Sequence, residues 1–283
     1  MTATIEVLAP GALTLVEDGG RDLAEWGVAR SGAADRRALA LANRLTGNAP
    51  NAAGLECLLG GVSLRFPEGA IVAMSGAQCQ ITADRRALDM NRAHHLAAGA
   101  VLTMGLATSG LRTYISFRGG IDVEPVLGSR SRDVLAMIGP EPLAVGTTLP
   151  IGSETDGDAW FEFISPAPLT QPVTVRVAPG PRTDWFDSSA LELLVANQYT
   201  VRGESDRTGI RFMGVPLPRR SGDLASEPTL PGSVQVPPDG QPIVLGPDAG
   251  VSGGYPVIAA VLDDDLDLLG QVRPGDAVTF RWA

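Results

Sequence analysis

Four stretches of this 283-residue chain crowd polar side chains and glycines more densely than ordinary turns require. The first runs Glu17-Asp18-Gly19-Gly20-Arg21 and on to Ser31-Gly32-Ala33-Ala34-Asp35. The second is Gly128-Ser129-Arg130-Ser131-Arg132-Asp133, and the third is Ser205-Asp206-Arg207-Thr208-Gly209-Ile210-Arg211. The fourth joins Ser226-Glu227-Pro228 to Gln235-Val236-Pro237-Pro238-Asp239-Gly240 and to Ser252-Gly253-Gly254-Tyr255-Pro256. Serine hydroxyls, glycine amides and arginine forks together suit a small anionic or carbonyl-bearing ligand. Each stretch also has a plain structural reading. Gly-Ser-Arg-Ser-Arg can be a helix cap followed by solvated arginines, and Asp-Arg a surface ion pair. Several such loops in one chain point instead to a shared site, because a rigid β scaffold commonly carries its function on loops.

Other chemistries fail on the residues. All 22 basic residues are arginine, so no Schiff-base lysine, P-loop lysine or Ser-x-x-Lys dyad exists here. Arginine then supplies any strong clamp for a carboxylate or phosphate. Gly250-Val251-Ser252-Gly253-Gly254 fits the Gly-x-Ser-x-Gly nucleophile elbow. It is followed by strand-like Tyr255-Pro256-Val257-Ile258, however, and both histidines, His94 and His95, precede it. Adjacent histidines on a strand face opposite ways and cannot share a metal, so one packed and one solvated ring is expected. Asp263-Asp264-Asp265 lacks the glycine and distant glutamate of a calcium loop and reads as a solvated acidic helix start. No metal site is expected, and no glycine-rich nucleotide loop is present.

The elements that must position these loops are mostly strands. Glycine (34) and proline (22) are abundant and dispersed, which favours many short strands over a helical bundle. Strands are expected at Thr2–Leu8, Leu13–Val16, Leu55–Leu59, Val62–Phe66, Ile71–Met74, Cys79–Thr82, Val101–Met104, Leu111–Phe117 and Val173–Val177. In Leu111–Phe117 the alternation puts Arg112, Tyr114, Ser116 and Arg118 on one face. Helices are expected at Asp35–Leu45, Phe186–Asn197 and, briefly, near Asp264–Leu268. The proline-spaced Ile164-Ser165-Pro166-Ala167-Pro168 is the candidate linker. A net charge of −10 disfavours nucleic acid. There is no signal-like N-terminus, no ~20-residue apolar run of the kind a membrane helix needs, and only Cys57 and Cys79, read as buried thiols. These features point to the cytoplasm and to a soluble chain.

At these same loops the sequence resembles the biotin-dependent carboxyltransferase family, also called allophanate hydrolase subunit two, whose bacterial members include the C component of ATP-dependent 5-oxoprolinase. The resemblance rests on Val16-Glu17-Asp18-Gly19-Gly20-Arg21, Gly27-Val28 to Ser31-Gly32-Ala33, and Ala42-Asn43 with Gly47-Asn48. It continues at Glu56, Gly60-Gly61, Ser75-Gly76-Ala77, Tyr114, Gly119-Gly120 and Leu127-Gly128-Ser129-Arg130-Ser131. In the second half it includes Ser205-Asp206-Arg207, Gly209, Arg211, Ser226-Glu227-Pro228, Gln235-Val236-Pro237, Gly253-Gly254-Tyr255-Pro256, Gln271 and Pro274-Gly275-Asp276. The chain departs from the family at three places: Glu17 replaces the usual glutamine, Val251-Ser252 a paired threonine, and Thr208 a frequent methionine.

The resemblance implies a mainly β fold of two cyclophilin-like β-barrel domains with a few short helices, here divided as 1–168 and 169–283. It implies work in a hetero-oligomer, of heterotetramer type, with a sister protein, the B component, and with a further A component. That complex uses ATP with magnesium to open 5-oxo-L-proline to L-glutamate, the chain being inactive alone. Two alternatives remain: carboxyl transfer from biotin in a urea carboxylase, and a non-catalytic regulator that binds its sister protein. Under the leading reading Arg207, Arg211, Arg130 and the Gly253-Gly254 amides are expected to hold a carboxylate or phosphoryl group. Asp206 and Glu227 are expected to orient the arginines or bind magnesium carried with ATP. Ser129 and Gln235 complete the expected substrate contacts, and Tyr255 is either a hydrogen-bond donor or a packing residue.

Overall fold

In the computed structural model, which describes residues 3–165 and 169–283, the chain divides into two units. The first comprises Met1–Arg21, Ser31–Asp133 and Met137–Pro168, and the second Asp22–Arg30, Val134–Ala136 and Leu169–Ala283. Of the candidate linker, Ile164 and Ser165 are exposed, and Pro166–Pro168 lie outside the described residues. Among the described residues no helix is long and apolar enough to cross a membrane.

The first unit contains strands β1 (Thr4–Pro10), β2 (Leu13–Glu17), β3 (Gly54–Leu58), β4 (Val62–Phe66), β5 (Ala70–Gln78) and β6 (Ile81–Ala83). It continues through β7 (Arg86–Leu88), β8 (Ala93–Leu96), β9 (Ala100–Met104), β10 (Ser109–Phe117) and β11 (Thr148–Pro150). They form a six-stranded sheet ordered β11-β1-β4-β9-β6-β7 and a five-stranded sheet ordered β2-β3-β10-β5-β8. The reason is visible in the alternation: Val62, Leu64 and Phe66 are buried while Arg65 is exposed, and Ala100, Leu102 and Met104 are buried while Thr103 is exposed. With Leu55, Val72, Ile115 and Phe117 these side chains make one core.

Strand β10 is buried on both faces, because helix α1 (Arg36–Thr46) covers the face that carries its polar residues. Asp35 caps the helix, accepting from the Ala38 N–H at 2.9 Å, and Gly47 closes it in the left-handed conformation at φ 77°. Glu56 on β3 accepts from the Tyr114 hydroxyl at 2.7 Å, from Arg112 Nε at 3.1 Å and from the Ala34 N–H at 2.9 Å. The Tyr114 oxygen in turn accepts from the Asp35 N–H at 2.8 Å. Burial and the neighbouring Glu56 charge push the Tyr114 phenol well above its ordinary pKa, so it stays a donor. At the other end of the helix the Ser116 hydroxyl donates to Asn43 Oδ1 at 2.6 Å, and Asn43 Nδ2 donates to the Pro50 and Ala52 carbonyls at 3.1 and 2.8 Å. Asn48 extends this set, donating to the Phe117 carbonyl at 2.7 Å and accepting from the Gly119 N–H at 2.8 Å. Along the covered face of the helix Ala38, Ala42 and Leu45 are buried. Leu39 and Asn43 are buried, whereas Leu41 is only partly covered.

The second unit contains β12 (Val173–Pro179), helix α2 (Ser188–Ala196), β13 (Gln198–Val201), β14 (Gly209–Met213), β15 (Glu227–Pro228), β16 (Ser233–Gln235), β17 (Ile243–Leu245), β18 (Ser252–Gly253), β19 (Val257–Val261), helix α3 (Asp263–Leu269) and β20 (Ala277–Trp282). Seven of these strands close a barrel in the order β12-β19-β16-β17-β14-β13-β20, sealed by the parallel pairing of β12 with β20. Its interior holds Val175, Val177, Val234 and Ile258 with Tyr199, Phe212 and Phe280, whose rings meet edge-on at 5.6–5.7 Å. The acidic start of α3 corrects the sequence expectation. Asp263 and Asp264 are exposed, but Asp265 is buried and accepts from Arg176 Nε at 2.9 Å, from its Nη2 at 2.7 Å and from its N–H at 2.7 Å.

The Asn43 network and the two thiols each yield a measurable outcome. Asn43→Ala takes the donor from the Pro50 and Ala52 carbonyls, at about 1–3 kcal/mol for each group left buried without a partner, while Ser116 keeps Thr46 and Asn48, so its thermal midpoint drops well below that of the exposed-face control Arg44→Ala. The free thiols differ: Cys57 is fully buried with its pKa pushed up to about 12, and Cys79 is only partly buried. An aromatic disulfide reagent therefore labels Cys79 slowly in the native protein and reaches Cys57 only after unfolding.

Candidate active site

The second unit offers a cleft of about 380 Å³ whose walls come from the third and fourth of the expected loops. Arg211 on β14 stands exposed on one side, with Arg202 from the end of β13 nearby. Gln235 at the end of β16, Ser252 on β18 and Tyr255 form the opposite side, and Ile243 and Leu245 give an apolar floor, Ile243 lying between Arg211 and Gln235 in the strand register. Gln235 is buried, and its Nε2 donates to the Tyr255 carbonyl at a long 3.5 Å. A Cβ on Gly253 would meet that Nε2 at 2.6 Å, so glycine is required for the carboxamide to sit there. Tyr255 is 44% exposed, which gives its hydroxyl access to solvent at the rim. The Arg202 guanidinium donates to Glu204 at 2.9 Å and holds that carboxyl below its usual range.

The remaining candidates of this unit frame the cleft. Arg207 is buried and forms a fork with Asp248: Nε to Oδ2 at 2.7 Å and Nη2 to Oδ1 at 3.1 Å, with 4% and 0% of the two side chains exposed. Asp206 caps its own turn, accepting from the Thr208 N–H at 2.8 Å, the Thr208 hydroxyl at 2.6 Å and the Gly209 N–H at 3.2 Å. Glu227 pairs with Arg182 through both guanidinium edges, Nε lying 2.9 Å from Oε2, and this neighbour holds the Glu227 carboxyl below its usual range. Strand β15, which carries Glu227, pairs with β18, so Glu227 lies opposite Gly253 and Pro228 opposite Ser252. The two parts of the fourth loop that the sequence groups therefore form one ribbon. Asp248, Arg182 and Arg202 are not among the expected residues. Asp248 sits in a Gly-Pro-Asp turn that reads as a solvent turn in sequence, and only the buried Arg207 reveals its role.

Ser129 and Arg130 belong to the first unit, where a residue not singled out as a ligand contact organises them. Asp18 Oδ1 accepts from the hydroxyls of Ser129 and Ser131 at 2.6 and 2.5 Å and from the Gly20 N–H at 2.8 Å, while Oδ2 accepts from the Arg130 N–H at 2.7 Å. The first two sequence loops thus share one carboxylate. The Arg130 side chain runs back along the loop, donating to the Val123 carbonyl at 2.7 Å and to Asp122 at 2.8 Å. It borders an open cleft of the first unit, of about 880 Å³, with Asn51, Asp122 and Glu154. The adjacent histidines lie elsewhere on β8. His94 is half-buried with Nε2 2.7 Å from the Asp89 carbonyl, and burial lowers its pKa, whereas His95 is exposed.

Known proteins are similar to this chain in sequence and in fold. Residues 26–282 match the family described as carboxyltransferase domain, subdomain A and B. The C component of 5-oxoprolinase from Escherichia coli (strain K12) is 36% identical over 282 residues, covering 98% of this chain and 90% of that protein. The urea amidolyase of Lachancea kluyveri is 30% identical over 305 residues, covering 97% of this chain but only 17% of the larger enzyme. Among solved structures, TTHA0988 superposes with a TM-score of 0.91 at 34% identity, over 99% of this chain and 56% of that one. By sequence and by fold, the chain belongs to the carboxyltransferase domain family, subdomains A and B.

Proposed function

We propose that this chain is the C component of an ATP-dependent 5-oxoprolinase, opening 5-oxo-L-proline to L-glutamate together with a sister B component and an A component. The observation that carries the reading is the barrel cleft: an exposed arginine faces a buried carboxamide across an apolar floor, in about 380 Å³. 5-Oxoproline has the complementary parts, a carboxylate on a compact five-membered lactam. Arg211 gives the carboxylate a charge-assisted contact. The Gln235 carboxamide, which both donates and accepts, matches the lactam C=O and N–H. Ile243 and Leu245 take the ring methylenes.

An unstrained amide is a poor electrophile, and ATP supplies its activation at the level of the complex. This chain's part is to hold the substrate and to meet developing negative charge with Arg211 and the Tyr255 hydroxyl, the expected Gly253-Gly254 amides being outside the cleft lining and Gly253 paired with Glu227. Arg207, Asp206 and Glu227 act by fixing the turns that carry these groups. Ser129 and Arg130 serve the first unit's own cleft, for which the Asp18-ordered loop is the support. Magnesium does not fit this chain's carboxylates. Among the described residues no cluster suited to a metal is found, and Asp206 and Glu227 are committed to a turn and to Arg182. We assign the ion to ATP held by a companion protein.

Mixing the three proteins with ATP and 5-oxoproline yields glutamate, and the set lacking this chain does not; equal turnover in the two sets sinks the assignment. Avidin leaves the reaction unchanged, whereas inhibition by avidin selects biotin-dependent carboxyl transfer instead. Arg211→Ala raises KM for 5-oxoproline by roughly 10- to 100-fold, the scale of one charge-assisted hydrogen bond, with an unaltered thermal midpoint. Arg207→Ala behaves oppositely, costing about 3–5 kcal/mol of stability because a buried carboxylate loses its partner, which calorimetry of the isolated chain reads directly.

A further inference from the structure

We propose that residues 153–165 of the first unit are a docking surface for a companion polypeptide that presents an apolar groove rimmed by lysine and arginine. The proposal rests on the reading above only in naming the companions to test. The segment places Trp160, Phe161, Phe163 and Ile164 in solvent, 52%, 37%, 57% and 39% exposed. Three of the chain's fourteen aromatic residues thus fall within four positions, outside any core. Exposed aromatic side chains in one short run are the composition of an interface centre rather than of a free surface.

The segment is not a loose tail. The Trp160 N–H donates to the Leu45 carbonyl at 2.7 Å, the Trp160 carbonyl accepts from the Ala93 N–H at 2.9 Å, and the Ile164 N–H donates to the Asn91 carbonyl at 3.0 Å. The Phe161 ring stacks on His95 of β8 at 4.7 Å and 12°. The main chain is therefore fixed at three points along the edge of β8 and the end of α1, and the aromatic groups are held outward in a set arrangement. Such pre-ordering lowers the entropy lost on association.

Charge identifies the occupant. Glu154, Asp156, Asp158 and Glu162 stand in the same run, and residues 153–165 contain no basic side chain. All four carboxylates are exposed. An anionic lipid surface or a nucleic acid is repelled. A second copy is disfavoured too, because a two-fold contact would set the acidic run against itself on a chain already at −10. What remains complementary is a polypeptide with apolar pockets for the rings and cations around them.

The experiment titrates the full-length chain with the B component and, separately, with the A component, by calorimetry at two salt concentrations, alongside sedimentation of the chain alone. Trp160→Ala/Phe163→Ala weakens binding to one companion at least ~30-fold, the scale of one interface hot spot, without changing the thermal midpoint. The second variant, Glu154→Gln/Asp156→Asn/Asp158→Asn/Glu162→Gln, keeps the rings and loses most of the salt dependence of association. Wild-type affinity in both variants overturns the proposal, as does wild-type binding to neither companion, or a wild-type self-association that the first variant abolishes. Turnover by the three wild-type proteins is scored apart. Its absence refutes the functional reading, and its presence with unimpaired binding by both variants refutes only the docking surface.

Discussion

The second unit's site depends on one buried ion pair, Arg207 with Asp248. Neither charge reaches water, and each would be strongly destabilising without the other. The pair does more than neutralise itself. Asp248 also donates its N–H to the Arg207 carbonyl at 3.1 Å, and the Gly246 N–H donates to the Thr208 carbonyl at 3.0 Å. These links tie the start of β14 to the turn after β17, the two strands that supply Arg211 and the apolar floor. A Cβ at Gly246 would collide with the Arg207 carbonyl, so the close approach is written into the choice of glycine. Such a pair contributes little to net stability, and its value lies in selecting one arrangement of two turns.

The opposite wall is set by a second guanidinium–carboxylate fork, Arg182 with Glu227, on the two-residue ribbon of β15 and β18. A ribbon that short has no stability of its own. It is held because Glu227 is anchored to Arg182, and because Thr229 donates to the Gly250 carbonyl at 2.8 Å while its own N–H reaches the Val251 carbonyl at 2.9 Å. The Gly253 position opposite Glu227 is then close enough to Gln235 that a Cβ there would push the carboxamide out of its place. Both walls thus use buried or half-buried arginine forks as braces and leave Arg211 exposed to the cavity, beside an Arg202 that is paired with Glu204.

Much of this architecture is legible in sequence where one physical period dominates. Helix α1 announces itself by its cap and its Gly47 stop, and β4 and β9 by strict alternation. Strands β7 and β8 carry no such signal, because Arg85-Arg86 and His94-His95 are polar at positions that a half-buried strand normally reserves for apolar groups. The candidate loops stand out by composition, which locates polar density without saying which carboxylate belongs to which arginine. Asp18 lies more than a hundred residues from Ser129 and Ser131, and Arg182 lies 45 from Glu227, so their pairings are facts of topology that no local pattern carries. Asp265 is misread for the same reason. In sequence it is one of three aspartates, and only β12 beside α3 brings Arg176 to it.

The absence of lysine gives these observations a common logic. A guanidinium keeps its charge when buried and spreads it over a plane with several donors, so it can brace two backbone segments and a carboxylate at once. Arg21 shows the principle in the first unit, donating to the Ser131 carbonyl at 2.6 Å and the Val126 carbonyl at 3.2 Å with no carboxylate among those two contacts. A lysine in that place would offer a single strongly hydrated point charge and would shed its proton under the same burial. A chain that uses arginine alone can therefore build its loops from buried cations and still present one of the same kind to a ligand. Exposure, rather than residue type, decides which arginines are braces and which one is poised to bind.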